Sequence, residues 1–397
     1  MKNYVVGGIV GLMLLISNRA MARLDNDPGL RTAIENILHE RYKVAEHQLD
    51  SLIQVYPADP APVFFKGVLY WRKSVFLDDR NAYEKQGIVW WDKTLDICDK
   101  QLELYPDDAY LLFYKGGTHG LVGTIYAKNF KFFKAGIQAI KGIRNLEDAY
   151  EADSTFGDTY FGLGLYHMTA ANSPGIVKFL QRLLPIPNGD EEKAYQYLKI
   201  SIKKGQFAPF MARATLAFSY NYYKCQHDSA YAYLAPILKE YPENTSALVF
   251  ATNIFFHRGI LTGITDWDSL AVLIDRLEHR MDERGEQLEI YYRDKILLEK
   301  GVVAFHQKRN TEAGRFLEQY ISQYDDSDFA GVAYLTLGAL YDLQGDRPLA
   351  LQLYKQARKK KQLGIMKDWL ETRLKEPYNS PQRVILIGDI FDLPDRP

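Results

Sequence analysis

Residues Ser327–Lys361 read SDFAGVAYLTLGALYDLQGDRPLALQLYKQARKKK, and this stretch decides the fold of the chain. Gly338 lies three residues before Tyr341, and a Gly-Asp turn follows. Ala350 and Tyr354 come next at helical spacing, so they share one face of a second helix. A small residue lets two helices approach closely where they cross, and the aromatic rings fill the groove beside the crossing. The stretch therefore predicts two antiparallel helices packed through a glycine.

A recurrent turn separates such helix pairs along the chain. It occurs as Tyr56-Pro57-Ala58-Asp59, Tyr105-Pro106-Asp107-Asp108, Tyr241-Pro242-Glu243-Asn244 and Tyr324-Asp325-Asp326-Ser327. Proline ends one helix, and Asp, Asn or Ser caps the next. Together with the helical pattern between them, these four turns predict eight helical hairpins, over residues 23–57, 58–106, 107–154, 155–206, 207–242, 243–282, 283–325 and 326–362.

This pattern resembles the tetratricopeptide repeat (TPR), a helix pair of about 34 residues with a small residue, an aromatic residue one turn later and an Ala–aromatic–Ala stripe. The resemblance covers nearly the whole chain after residue 22. It implies an all-α, TPR-like α-solenoid over residues 23–376, closed by a capping helix at about 365–375. Residues 377–397 form an extended tail in this interpretation, and the apolar run Arg383–Phe391 is expected to lie against the solenoid.

The second, third and fourth repeats are longer than the ordinary unit, at roughly 50 residues each. Their extra residues include Ala82–Trp91, Lys128–Gly142 and Ser173–Asp190. We expect these inserts between paired helices to form a contiguous collar, because successive hairpin turns project from one edge of a solenoid. The run Phe161–Leu165, followed by Phe179–Pro185, resembles the inclusion-body-clearance TPR proteins. That resemblance implies lipid-related scaffolding.

The composition and the absence of catalytic motifs disfavour several classes of function. The 397 residues carry 49 Lys+Arg and 50 Asp+Glu, and this balance disfavours a general nucleic-acid binder. The 47% hydrophobic content excludes wholesale disorder. No nucleophile elbow, HExxH motif or P-loop occurs in the sequence. We therefore expect a scaffold or adaptor that is not an enzyme and has no cofactor or metal, although a hydrolase or ligand-processing enzyme with a groove site remains an alternative.

Residues 1–22 have the layout of a secretory signal peptide. A basic start is followed by a twelve-residue apolar and glycine run over Val5–Ile16, and then by Ala20-Met21-Ala22. Cleavage is expected before Arg23, which places the protein in the periplasm or outside the cell. Cys98 and Cys225 are predicted to be two buried free thiols, because cysteines in separate repeats rarely come within bridging distance.

The first helices of TPR arrays face the concave surface, and this family rule predicts a partner-binding groove. Its residues in this chain are Phe64, Val68, Trp71, Arg72, Tyr110, Phe113, Phe161, Leu165, Met168, Phe218, Asn221, Tyr222, Asn253 and His257. The set is aromatic and short of lysine. It therefore favours apolar or aromatic peptide segments over a C-terminal carboxylate as the ligand.

The collar supplies a second candidate surface. Residues 128–146 carry five basic residues and no acidic one, and Ile176–Ile186 is a short amphipathic segment. Lys131, Lys134, Phe179, Arg182 and Leu183 are the residues that would contact an anionic lipid surface or a protein partner. The alternative is that these apolar residues only pack the collar onto the solenoid.

His119 and His167 occupy equivalent positions on adjacent first helices. They are predicted to be packed and hydrogen-bonded, because no acidic or thiol ligand accompanies either at helical spacing. Gly116, Gly117, Gly120 and Gly123 lie within one predicted helix, and they indicate close helix packing against the next repeat.

Overall fold

The structure is a computed structural model, and it describes residues 23–76, 80–173, 187–262, 265–284, 290–360 and 364–379. Within these ranges the chain forms 17 α-helices and one π-helix, and no β-strand. The prediction of an all-α fold is confirmed. The predicted signal peptide at 1–22 lies outside the described residues. No helix within the described ranges is long and apolar enough to cross a membrane.

The helices follow the predicted hairpins pair by pair. The pairs are α1 (Pro28–Leu38) with α2 (Tyr42–Val55), α3 (Pro60–Phe76) with α4 (Arg80–Leu102), α5 (Ala109–Lys128) with α6 (Phe132–Ala152), α7 (Thr159–Ala171) with α8 (Glu191–Lys204), α9 (Pro209–Phe218) and the π-helix Ser219–Tyr223 with α10 (His227–Glu240), α11 (Thr245–Thr262) with α12 (Trp267–Arg284), α13 (Ile290–His306) with α14 (Asn310–Tyr324), and α15 (Ala330–Leu343) with α16 (Arg347–Lys359). A last helix, α17 (Gly364–Lys375), follows the eighth pair close to the predicted bounds.

The contacts divide the chain into two compact units. Within the described ranges, unit 1 consists of residues 23–74, 80–171 and 187–209, and unit 2 consists of 75–76, 172–173, 210–262, 265–284, 290–360 and 364–379. Unit 1 contains nearly all of the first four hairpins, and unit 2 contains nearly all of the last four together with α17. A single solenoid over 23–376 stays a prediction.

The eighth hairpin has the glycine-mediated helix crossing, the glycine turn and the helix cap that the sequence predicts. A Cβ atom on Gly338 would lie only 2.5 Å from the Cε1 atom of the Tyr354 ring, so only glycine permits this crossing. Tyr354 is fully buried. Gly345 supplies the left-handed turn with φ +85°, and the Asp346 carboxylate then caps α16 by accepting the backbone N–H of Leu349 at 3.1 Å.

The extra length of the second and third repeats is built as helix. Ala82–Trp91 lies wholly inside α4, and Lys128–Gly142 runs from the end of α5 into α6 with only residues 129–131 between them. The extra residues thus lengthen the paired helices, instead of forming segments between them as expected. Neither stretch contains proline. Helical hydrogen bonding runs through all of Ala82–Trp91, whereas Lys128–Gly142 is helical on both sides of a short turn in which Phe130 has φ +57°. Most of Ser173–Asp190 lies outside the described residues.

Helices α5 and α6 pack through glycines. A Cβ on Gly116 would lie 3.0 Å from the carbonyl oxygen of Gly142 and 2.8 Å from Cγ of Leu146. A Cβ on Gly123 would lie 3.2 Å from Cβ of Gln138. Gly120 faces open space, so the close packing predicted for this helix involves only part of its glycines.

The two cysteines differ in environment. Cys98 is buried and Cys225 is exposed, and both are free thiols. The prediction that both are buried is therefore wrong for Cys225. This residue has φ +51° and lies in the exposed turn between the π-helix and α10.

The residues that follow α17 pack against other residues of unit 2. Tyr378 is buried, and its backbone N–H donates to Oδ2 of Asp342 at 2.7 Å. Its ring lies 6.0 Å from that of Phe305 and 6.2 Å from that of Trp369. The apolar run Arg383–Phe391 lies outside the described residues, so its expected contact with the solenoid stays a prediction.

Candidate functional site

Three aromatic side chains form a patch on the first helices of the fifth and sixth hairpins, in unit 2. We call Phe218, Tyr222 and Phe250 the aromatic patch. The rings of Tyr222 and Phe250 are parallel to within 1° with centroids 6.2 Å apart, and the ring of Phe218 lies 4.6 Å from that of Tyr222. Phe218 is exposed, and the other two rings are half-buried. The patch therefore offers flat apolar area to a ligand.

The π-helix Ser219–Tyr223 produces this arrangement. A π-helical turn contains one more residue than an α-helical turn, so it changes which side chains face inward, and such turns are frequent at functional sites. Here Asn221 is buried, whereas its neighbour Tyr222 remains partly accessible. The sequence predicted both as groove residues, and the structure separates them into two layers.

A buried polar layer lies beneath the aromatic patch. The side chain of Asn221 donates from Nδ2 to Nδ1 of His257 at 3.1 Å and accepts at Oδ1 from Nδ1 of His227 at 2.8 Å. Burial lowers the pKa of both histidines, most strongly that of His257, whose pKa the nearby Lys295 ammonium lowers further. Both imidazoles are therefore neutral at pH 7. The ring of Tyr222 sits edge-on to that of His257 at 5.1 Å.

An ion pair on α13 extends the buried layer. Nζ of Lys295 lies 3.6 Å from Oε1 of Glu299, one helical turn later, and the two side chains are 9% and 0% exposed. Burial lowers the pKa of Lys295 and raises that of Glu299, and their mutual attraction opposes both shifts. Burial also raises the pKa of the neighbouring Asp294 to about 6.

Sequence reasoning missed this ion pair. Charged residues in an amphipathic helix are normally assigned to the solvent face. The available signal was a Lys–Glu pair at i,i+4 spacing on a first helix, which is the helix that carries Asn and His in the two preceding repeats.

Asn253 completes the site at its edge. It lies three residues after Phe250 and four before His257, so the three share one face of α11. The residue is half-buried, and among the described residues its buried Oδ1 atom has no hydrogen-bond donor. An unsatisfied buried acceptor costs about 1–3 kcal/mol, so this amide is a polar group that the described residues leave incompletely paired.

Four of the predicted groove residues belong to the core of unit 1. Phe64, Tyr110 and Phe113 surround the fully buried Tyr114, with ring centroids 5.2, 4.9 and 5.0 Å from it. Met168 is also buried. That these four contact a partner stays a prediction; in this structure their side chains are buried and offer little area to a ligand.

The remaining groove residues of unit 1 are partly accessible. Val68, Trp71, Phe161 and Leu165 are half-buried, and the guanidinium of Arg72 lies 3.6 Å from Oε1 of Glu40. Their role in binding stays a prediction. The structure thus brings together Phe218, Asn221, Tyr222, Asn253 and His257 in unit 2, five of the fourteen residues that the sequence placed in a groove.

The collar residues are only partly described. Lys131 is exposed in the loop just before α6, and Lys134 is exposed in the first helical turn of α6. Phe179, Arg182 and Leu183 lie outside the described residues.

The two first-helix histidines of unit 1 are packed and hydrogen-bonded, as predicted. Nδ1 of His119 lies 2.6 Å from Oε1 of Gln138, and Nδ1 of His167 accepts the backbone N–H of Asp190 at 3.2 Å. Over the part of the chain that the structure describes, no three His, Cys, Asp or Glu residues are grouped to hold a metal ion.

The fold and the glycine-mediated helix crossings define the chain as a TPR-like helical-repeat protein. No protein-family model matches it, and no curated protein matches it. Similar solved structures include the APC/C hetero-tetramer Cut9–Hcn1, with 13% identity and a TM-score of 0.49 over 88% of this chain and 64% of that chain. Yeast Tom70 is 14% identical with a TM-score of 0.37, over 94% of this chain and 86% of that chain. The TPR domain of P58(IPK) is 12% identical with a TM-score of 0.27, over 87% of this chain and 95% of that chain. The chain spans less than two thirds of the Cut9–Hcn1 chain that it matches.

Proposed function

We propose that the protein is a non-enzymatic scaffold that binds a peptide segment of a partner protein on the first-helix surface of unit 2. The observation that carries the proposal is the aromatic patch, with its stacked Tyr222 and Phe250 rings, directly above a fully buried polar layer. Aromatic side chains that are fixed by packing lose little entropy on binding and dominate interface energetics. Asn253, beside the patch, provides an amide that can pair with the backbone of an extended peptide.

The buried layer supports binding rather than catalysis. His257, Lys295 and Glu299 are the groups with the chemistry of a general acid or base, but all three lie beneath the surface. A hydrolase with a groove site would need at least one of them in contact with substrate. Their role in this proposal is to hold α11, α13 and the π-helix in one arrangement, so that the aromatic patch is preorganised.

Peptide selection tests the proposal. The chain from residue 23 to 397 is immobilised, a displayed library of linear peptides is selected on it, and the affinity of an enriched peptide is measured by fluorescence anisotropy. Tyr222→Ala and Asn253→Ala should each weaken that affinity at least tenfold, since hot-spot truncations cost about 2 kcal/mol.

Tyr231→Ala is the matched control. Tyr231 is also a partly exposed tyrosine of unit 2 in edge-to-face contact with a phenylalanine, but it lies on the second helix α10. The control should bind like the wild type. The proposal fails if no peptide is enriched, or if all three variants bind with equal affinity.

We also propose that the protein works after export, in the periplasm or outside the cell. The support is the pattern of residues 1–22, with its basic start, apolar run and Ala-Met-Ala end. Expression of the full sequence in a bacterial host, followed by N-terminal sequencing, should find Arg23 as the first residue of the exported protein. A cytoplasmic protein that retains Met1 would contradict this.

A further inference from the structure

The turn between α5 and α6 exposes large apolar side chains. Phe130 is 82% exposed, Phe133 is 59% exposed and Ile137 is 37% exposed. Phe133 and Ile137 are four residues apart on α6, so they share a face, and the Phe130 ring sits edge-on to that of Phe132 at 6.1 Å. We call Phe130, Phe133 and Ile137 the apolar tip. Folded proteins rarely expose two phenylalanines this close together unless the surface has a partner.

Basic side chains flank the apolar tip. Residues 128–146 contain Lys128, Lys131, Lys134, Lys141 and Arg144, and no Asp or Glu. Lys128 pairs with a carboxylate oxygen of Glu84 at 2.6 Å. The other four are exposed, and no described carboxylate forms an ion pair with them. Lys131 and Lys134 lie at the turn itself, and Lys141 and Arg144 lie further along α6. The turn therefore carries two positive charges, those of Lys131 and Lys134, that no described carboxylate pairs with.

We propose that this turn docks onto an anionic membrane surface. The phenylalanine rings would enter the boundary between headgroups and acyl chains, and the lysines would remain at the level of the lipid phosphates. Charge complementarity selects this partner, because an uncharged bilayer would not use the lysines. Exposed side chains on a turn suit a flat surface, whereas a peptide or helix ligand would need a groove. This surface is in unit 1 and is independent of the aromatic patch of unit 2.

Vesicle flotation tests the proposal with the chain from residue 23 to 397. One set of vesicles contains equal parts of phosphatidylglycerol and phosphatidylcholine, and the other contains phosphatidylcholine alone. The wild type should float with the anionic vesicles, at least tenfold more than with the neutral ones, and high ionic strength should weaken the binding. The double variants Phe130→Ser/Phe133→Ser and Lys131→Glu/Lys134→Glu should each reduce flotation at least tenfold.

The matched control lies on the neighbouring turn between α4 and α5. Leu104 and Tyr105 are 73% and 54% exposed there, beside Glu103 and Asp107 instead of lysines. Leu104→Ser/Tyr105→Ser should float like the wild type, and circular dichroism should show that all variants remain helical.

Three results would overturn the proposal. The first is a wild type that does not float with anionic vesicles, which would favour an acidic protein as the partner of this turn. The second is equal flotation with neutral vesicles. The third is a Phe130→Ser/Phe133→Ser variant that floats like the wild type. None of these results bears on peptide binding by unit 2, so the two proposals fail separately.

Discussion

Replacing either of two glycines on one helix by alanine should change stability in opposite directions. Gly116 and Gly120 are one turn apart on α5, and both are helical. At Gly116 an added Cβ would lie 3.0 Å from the Gly142 carbonyl oxygen, 3.1 Å from the backbone nitrogen of Leu146 and 2.8 Å from its Cγ atom. At Gly120 it would meet no atom within 4 Å.

The size of each effect follows from these contacts. Alanine is favoured over glycine inside a helix by about 1 kcal/mol, and this gain applies at both sites. At Gly116 the methyl group also presses on backbone atoms of α6, which cannot move independently, and overpacking of this kind costs roughly 1–3 kcal/mol. Gly120→Ala should therefore stabilise unit 1 by up to about 1 kcal/mol. The free energy of unfolding of Gly116→Ala should be about 1–3 kcal/mol lower than that of Gly120→Ala.

Urea unfolding of residues 23–397 measures the difference. Circular dichroism follows the loss of helix, and hydrogen exchange of peptides from α5 and α6 assigns the transition to unit 1. If Gly116→Ala is as stable as Gly120→Ala, the close approach of α5 and α6 is not real and the glycine-packing argument is wrong.

Three further predictions concern titration, the tail and the thiols. Burial lowers the pKa of His306 to about 4, from 6.5 when unfolded; the unfolded chain then binds the proton more strongly, so the stability present above pH 6.5 is lost as the pH falls. Between pH 7.5 and 5 the wild type should lose about 2 kcal/mol more stability than His306→Gln, which keeps the contributions of the other buried histidines; parallel urea-unfolding profiles for the two proteins would refute this. Deleting residues 378–397 should lower the melting temperature by several degrees relative to deleting 380–397, because only the first deletion removes buried Tyr378; equal melting temperatures would contradict the packing described. A maleimide should label Cys225 in the folded protein and Cys98 only after denaturation, because Cys98 is buried and burial raises the pKa of its thiol; mass spectrometry showing equal labelling would place Cys98 at the surface.

The fold was predictable because its information is local. Proline and acidic caps mark the helix ends, and the glycine–aromatic pairing at Gly338 and Tyr354 marks the crossing of two helices. Predicting the structure of the long second and third repeats also required noting where proline is absent. Ala82–Trp91 and Lys128–Gly142 lack proline, which favours longer paired helices over a separate insert, and in the second stretch the turn is reduced to residues 129–131.

The candidate site was less predictable because burial depends on neighbours that are distant in sequence. A first-helix position predicts which way a side chain points, but not what covers it. Phe64, Tyr110 and Phe113 are buried around Tyr114, whereas Phe218 is exposed. The buried Lys295–Glu299 pair opposes the usual rule for charged residues, and a π-helix cannot be recognised from a periodicity of 3.6.

The length of α5 determines the distance between the basic turn at its end and the point where α5 crosses α6 at Gly116. From the crossing glycine to the end of the first helix there are five residues in the eighth hairpin (Gly338 to Leu343) and twelve in the third (Gly116 to Lys128). The seven extra residues add about 10 Å at 1.5 Å per residue. This is about one Debye length at 0.1 M ionic strength. Glu84 pairs with Lys128 at this end, but Lys131 and Lys134 just beyond it are largely screened from carboxylates near the crossing. The third hairpin therefore acts as an electrostatic spacer that holds these two lysines away from the crossing, on a chain whose net charge is only −1.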